Sequence, residues 1–337
     1  MKKLFIVLII FLSAVISVNA SENNPTHDKK FLRKQQPQKQ QFSSPKTERG
    51  NANEIQKQHV PVEPDVSSAY VDGIYTIKIN TSKLNGELKP HYVVNLTTNK
   101  DVMDETGARF VINAGFFDPK NHQTTSYLTK DGTLILNPNN NKNLINNKHL
   151  QPYLEKIFNR SELRVLKHNE RGNLKYDIAL HNDPIPHGYS LLHAIQGGPG
   201  LVPDLRMEEE FFVLTRPDGT IEQRSSSLSK YARTLVGIKD NNVYFVVATN
   251  EHPISLPEAS DLMKAAGFEK AMAYDGGGSV SLDFKDDNLH VVSEKSPTGR
   301  PLKSFWIITA GEKPKVEHDY FLQAPATMLN SNCIKID

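Results

Sequence analysis

The spacing of apolar and polar residues describes a strand-rich chain with few helices. Residues 75–79, 92–96, 110–112 and 134–136 have strand patterning, and an Asn85-Gly86 pair punctuates the first connection. Residues 231–238 and 243–248 predict two strands about an Asp240-Asn241-Asn242 turn. Residues 271–274 and 279–284 predict two more, joined through Asp275-Gly276-Gly277-Gly278, and 304–309 the last. Helical periodicity is strong in one place, where Leu256, Ala259, Leu262, Met263 and Ala266 follow Ser255, Pro257 and Glu258. That is a capping box with proline in the first turn, and Gly267 stops the helix. Residues 153–158 predict a short helix, the Asn-rich run 137–147 a surface loop, and Thr124-Thr125-Ser126-Tyr127 a strand or a pocket edge. The expected fold is α+β, with mainly antiparallel or mixed sheets and a few packed helices in a single large domain, rather than a doubly wound parallel sheet.

The ends of the chain have a different character. Lys2-Lys3, an apolar run from Leu4 to Val18 and the small-residue Val18-Asn19-Ala20 site read as a signal peptide cleaved after Ala20. That run is too short for a stable membrane span, so a secreted or periplasmic protein is expected. Residues 21–65 form a Gln/Lys-rich segment too poor in apolar side chains to order itself, 66–312 the domain, and 313–337 a C-terminal tail. The formal net charge of +2 comes from the leading segment: residues 1–60 hold ten basic and four acidic residues, leaving 30 basic and 34 acidic in the remainder. The folded part is therefore slightly acidic, which argues against nucleic acid as a partner. A lone Cys333 excludes an intrachain disulfide.

Four stretches carry candidate chemistry. In Tyr274-Asp275-Gly276-Gly277-Gly278-Ser279 the glycines let backbone amides converge on an anion between a carboxylate and a hydroxyl, or simply close a hairpin. Arg233, with Thr234 and Gly237 in an apolar strand, needs an anion, either a ligand or an internal acid. Asn113-Ala114-Gly115-Phe116-Phe117-Asp118 ends a buried strand in an amide, aromatics and a carboxylate, which serve a site or merely a turn. Gln196-Gly197-Gly198-Pro199 presents an amide beside close-packed backbone, or ordinary turn chemistry. Within the acidic run Glu208-Glu209-Glu210, Glu210 lies nearest the apolar residues and is the one placed to turn inward. His168, His181, His187 and His193 lack ligand spacing, and HExxH, paired CxxC, EF-hand, GxGxxG and P-loop patterns are absent, so neither metal nor cofactor is expected.

Taken in order, these four stretches resemble the phosphodiester glycosidase family across roughly residues 70–310, as does the helix ending in Ala265-Ala266-Gly267. The resemblance implies a hydrolase that cleaves the glycosidic bond of a sugar 1-phosphodiester, with a phosphorylated saccharide as its partner. It also implies roles: Asp275 as the acid–base or nucleophilic carboxylate, Arg233 with Gly276, Gly277, Gly278 and Ser279 on the phosphate, and Asn113, Gln196 and Thr234 as orienting groups. Asp118 and Glu210 are the candidates for a second carboxylate, which a phosphodiester leaving group makes dispensable. Two competing expectations are a non-catalytic envelope protein that binds anionic polysaccharide in the same pocket, and a phosphodiesterase that cleaves P–O.

Overall fold

A computed structural model describes residues 63–310, so the expected signal peptide, nearly all of the 21–65 segment and the 313–337 tail lie outside the described residues. The last residues assigned to that segment are attached to the domain. Glu63 pairs with Lys78 (2.7 Å) and Lys83 (3.2 Å), and Asp65 pairs with Arg109.

The strands assemble into three large antiparallel sheets and a small ribbon. A six-stranded sheet runs in the order Val66–Val71, Ile74–Ile79, Asn242–Ala248, Arg233–Lys239, Lys270–Ala273, Gly200–Val202. A five-stranded sheet runs Leu289–Val292, Ser281–Phe284, Phe110–Asn113, Leu302–Thr309, Glu87–Thr97. A second runs Thr133–Leu136, Leu128–Lys130, Tyr189–Gln196, Ser161–His168, Leu174–Leu180. The expected α+β architecture is therefore present. Much of the third sheet comes from a stretch in which the sequence pattern marks few elements, because its strand Ser161–His168 buries the ion pair Glu162–Arg164 (2.7 Å) amid apolar residues.

One apolar core is shared by the three large sheets. Phe110 packs on Phe245 and Phe284, with ring centroids 5.5 and 6.3 Å away, and Leu163, Ile195, Met272 and Trp306 close the same cluster. The helix Leu256–Ala265 has the expected cap, with both reciprocal Ser255–Glu258 bonds formed, and lays Leu256, Ala259 and Met263 on the six-stranded sheet. Gly237 makes that contact possible, since a Cβ there would stand 2.6 Å from the Phe268 ring and 2.7 Å from Met263. Among the described residues no helix is long and apolar enough to cross a membrane. The Asn-rich run 137–147 is more ordered than a loop. It forms the short turns of helix Pro138–Asn140 and Lys142–Ile145, the latter capped by the Asn141 side chain.

Candidate functional site

The triple-glycine turn is not a hairpin. Its incoming strand, Lys270–Ala273, belongs to the six-stranded sheet, whereas its outgoing strand, Ser281–Phe284, pairs with Phe110–Asn113 and Leu289–Val292 in another. Asp275 thus stands where the chain crosses between sheets. Asn113 binds this crossing together: Nδ2 donates to the Asp275 carbonyl (2.7 Å), and Oδ1 accepts from the Thr234 hydroxyl (2.6 Å) and the Ser281 amide (3.1 Å). The Asp275 amide donates to the Ala114 carbonyl (3.0 Å) and the Gly277 amide to that of Ala232 (2.8 Å). Three of the four sequence stretches therefore meet at one point. The fourth supports the incoming strand from its other edge, through Gly198 N to Ala273 O (2.8 Å) and Ala273 N to Pro199 O (3.0 Å).

These bonds also sort the expected residues by role. Asn113 and Thr234 are buried and bonded to one another and to the backbone, which positions Asp275. Gln196 is buried, donating to the carbonyls of Phe158 (2.8 Å) and Arg160 (3.4 Å) and accepting from Tyr127 N (3.4 Å), so it fastens loops and has no group directed at a cleft. Glu210 did turn inward, but too far for a second carboxylate. It is fully buried behind Gly198 and Gly200, accepting from Ser161 N (2.9 Å), Ser161 Oγ (2.7 Å) and Gly200 N (2.9 Å). Burial pushes its carboxyl up while those bonds and Arg160 pull it back. Asp118 lies at the other end of the Asn113–Asp118 loop, its oxygens engaged by Lys120 N (2.8 Å) and Asn143 Nδ2 (3.1 Å). The three glycine amides do not converge as a set, because that of Gly277 is spent on Ala232.

Asp275 itself is half-buried. Burial pushes its carboxyl up to about 6, against the Ser279 hydroxyl bond (2.7 Å), the Arg300 charge, the Gly276 amide and the Arg233 charge. Arg233 makes no ion pair with an internal acid among the described residues. Its Nε donates to Ile254 O (3.0 Å) and its Nη2 to Ser226 O and Ser229 O (2.8 Å each), which fixes the guanidinium and leaves Nη1 without an acceptor among the described residues. Nη1 lies against Gly276, where a Cβ would stand 3.4 Å from it. Burial pulls the Arg233 pKa down, and the charges of Tyr231 and Asp275 oppose it. The free Nη1 face can donate to an anion.

Two residues outside the expected set complete the site. Arg300 stacks on Phe117, 5.2 Å from the ring centroid, and its charge is felt at Asp275. Glu294 reaches over the glycine turn until Oε1 occupies the space a Cβ on Gly278 would need. The loop that carries it is tied down by the Ser293 hydroxyl on Gly277 O and by Asn250 Nδ2 on Ser293 O (2.7 Å). An arginine beside a proline and a glutamate in a polar loop are weak local signals, so only the folded loop reveals them. Among the described residues, no group of three or more His, Cys, Asp or Glu is placed to hold a metal.

The cross-sheet turn thus brings one carboxylate, Asp275, into the field of two arginines, Arg300 and Arg233. The chain belongs to the phosphodiester glycosidase family, whose model matches residues 106–309. Among solved structures, the catalytic domain of zebrafish N-acetylglucosamine-1-phosphodiester alpha-N-acetylglucosaminidase, auto-inhibited by its pro-peptide, is similar in fold. It shares 13% identity over 72% of this chain and 81% of that one, with a TM-score of 0.51. A hypothetical protein from Synechocystis matches at 13% identity over 72% of this chain, with a TM-score of 0.49; this chain spans 61% of its length. No curated protein matches.

Proposed function

We propose that the protein is a hydrolase acting outside the cytoplasm that cleaves the glycosidic bond of a sugar 1-phosphodiester in an envelope, capsule or host glycan. The observation that carries this reading is Asp275, raised to about 6 in a half-buried position with Arg300 and the free Nη1 face of Arg233 beside it. The arginines receive the non-bridging phosphate oxygens and the charge that grows on the departing phosphate. The bond from the anomeric carbon to the bridging oxygen breaks, and the oxygen leaves with the phosphate as a monoester. Water supplies the new hydroxyl on the sugar. A phosphate monoester has a second pKa of about 6, so it departs near neutral pH without needing a proton. Asp275 is then required in its ionised form, as the base toward water or as the nucleophile. Glu294, above the same turn, takes the place of second carboxylate that Asp118 and Glu210 do not fill.

Hydrolysis of a methyl hexose 1-phosphate diester in 18O water tests the reading, with the glucose, mannose and N-acetylglucosamine forms tried in turn. Label is expected in the sugar; label in the phosphate instead means P–O cleavage and overturns the mechanism. Asp275→Asn is expected to lower kcat by about 10²–10⁴-fold. Arg300→Ala is expected to lower kcat/KM by about 10–100-fold, the worth of a hydrogen bond to a charged group. Gly278→Ala should lower kcat with the fold intact, because its methyl displaces the flexible end of Glu294 and not the backbone. Binding of the diesters without turnover would favour a non-catalytic polysaccharide-binding protein.

A further inference from the structure

A cavity of about 770 Å³ does not enclose Asp275. It is an open bowl at the far end of the Asn113–Asp118 loop, bordered by Asp118, Lys120, Lys142, Asn143, Asn146 and Asn147. We propose that this bowl is a subsite for a further stretch of an anionic saccharide chain, so that the substrate is a polymer of acidic or phosphate-linked sugars rather than a lone small diester. The inference rests on the glycosidase reading above and adds the length and charge of the substrate to it.

Position is the first argument. Ala114 accepts from the Asp275 amide, and Asp118, at the bowl, is four residues on, a span of at most about 14 Å even if fully extended. Between them stands Phe117, with the Arg300 guanidinium on its ring. A chain with its scissile phosphate at Arg233 and Arg300 therefore has the bowl within reach over the Phe117–Arg300 stack.

The bowl's chemistry is the second argument. The Nζ groups of Lys120 and Lys142 make no ion pair or hydrogen bond among the described residues, and the side-chain amide of Asn146, the Nδ2 of Asn147 and the Oδ1 of Asn143 are likewise open. Amides offer a donor and an acceptor in one group, which matches hydroxyls that do both. Among the described residues of the rim the only carboxylate, Asp118, already has both oxygens engaged. The surface that faces a ligand is thus net positive on a domain whose composition is net negative. At physiological ionic strength charge acts over about 8 Å, so the local cations, not the distant acids, decide what binds there.

The order of the segment is the third argument. Asn141, buried, accepts from Asn121 Nδ2 (3.0 Å), Asn143 N (3.1 Å) and Leu144 N (3.3 Å) and donates to Thr124 O (3.2 Å). Asn143 in turn ties the segment to Asp118. The open amides and lysines therefore stand on a braced surface and not on a loose loop.

The test compares methyl-capped oligomers of repeating hexose 1-phosphate, of one, two, four and eight units, the one-unit form being the methyl diester above, on the wild-type chain and on the Lys120→Glu/Lys142→Glu protein. In the wild type, kcat/KM is expected to rise at least tenfold from one unit to eight, through KM. The double variant should lose most of that gain and treat the single unit as the wild type does. No gain with length, or a gain untouched by the substitutions, overturns the inference. Calorimetric binding of the eight-unit oligomer to the Asp275→Asn protein, with and without the two lysine changes, separates the two readings. If nothing is hydrolysed but the oligomer binds in a lysine-dependent way and neutral dextran does not, the subsite stands and the glycosidase reading falls. If the oligomer does not bind, or binds regardless of the lysines, the subsite falls.

Discussion

Asp275 carries two demands that oppose each other. In the proposed mechanism partial burial matches its carboxyl to neutral pH, and the same burial makes its charged form costly to the fold. The sign follows from proton counting. At low pH both the folded and the unfolded chain hold the proton. As pH rises from about 4, the ordinary carboxylate value, the unfolded chain releases its proton first, while the folded chain keeps it up to about 6. Stability therefore falls across that window and stays lower above it, by at most about 3 kcal/mol. Asp275→Asn removes the penalty, so its denaturation midpoint should exceed that of the wild type at pH 7 and converge on it near pH 4, while turnover is lost. In the wild type kcat/KM should rise with pH through about 6, as the carboxylate becomes available. A variant less stable than the wild type at pH 7 would show that burial is not what raises this carboxyl. At this scale the sequence was informative where a residue broke its local pattern, as Arg233 does in an apolar strand and the glycines do after Asp275. It was uninformative for Arg300 and Glu294, which are ordinary loop residues until the chain folds back on Phe117 and Gly278.

Among the elements, the Leu256–Ala265 helix was legible because its stop and start signals are local, and the strands flanking the glycine turn because alternation is local. Which strand each pairs with was not, since a short apolar strand looks the same whether its neighbour is the next strand or one far along the chain. That is why the sequence leaves a hairpin open at the glycine turn where the chain in fact crosses between sheets. Glu210 illustrates the same limit. Its inward turn was foreseeable from the adjacent Phe211-Phe212, but its partners Ser161 and Gly200 come from two other strands. The role that follows is bracing the Gly198–Gly200 turn, which holds the incoming strand of the site. Glu210→Ala leaves buried Arg160 without its nearest countercharge and two backbone donors unpaired, so it is expected to cost about 3–5 kcal/mol. Urea denaturation measures that loss. The surviving folded protein should turn over within a few-fold of the wild-type rate, and a collapse of kcat at unchanged stability would return Glu210 to the reacting groups.

In the molecule as a whole, the site exists because three sheets close on one another, and they do so at the residue before Asp275. The buried Tyr274 hydroxyl accepts from Trp306 Nε1 (2.7 Å) in one five-stranded sheet and donates to Ile195 O (3.2 Å) in the other, while its backbone extends a strand of the six-stranded sheet. Trp306 is fully buried in the apolar core, so Tyr274→Phe keeps the ring packing and strands an indole N–H. An unsatisfied buried group costs about 1–3 kcal/mol, and for a domain of this size each kcal/mol is worth about 2–4 °C in Tm. Calorimetry should therefore find Tm lowered by several degrees in a transition that remains single, because the core is shared across the sheets. The carboxylate, by contrast, is located by other bonds: Asn113 to its carbonyl, its own amide to Ala114, and Ser279 to its side chain. Turnover of the Tyr274→Phe protein well below its Tm should thus stay within a few-fold of wild type. If instead stability were untouched and kcat fell, the hydroxyl would belong to the site's chemistry, and the closing of the sheets would have to rest on apolar packing alone.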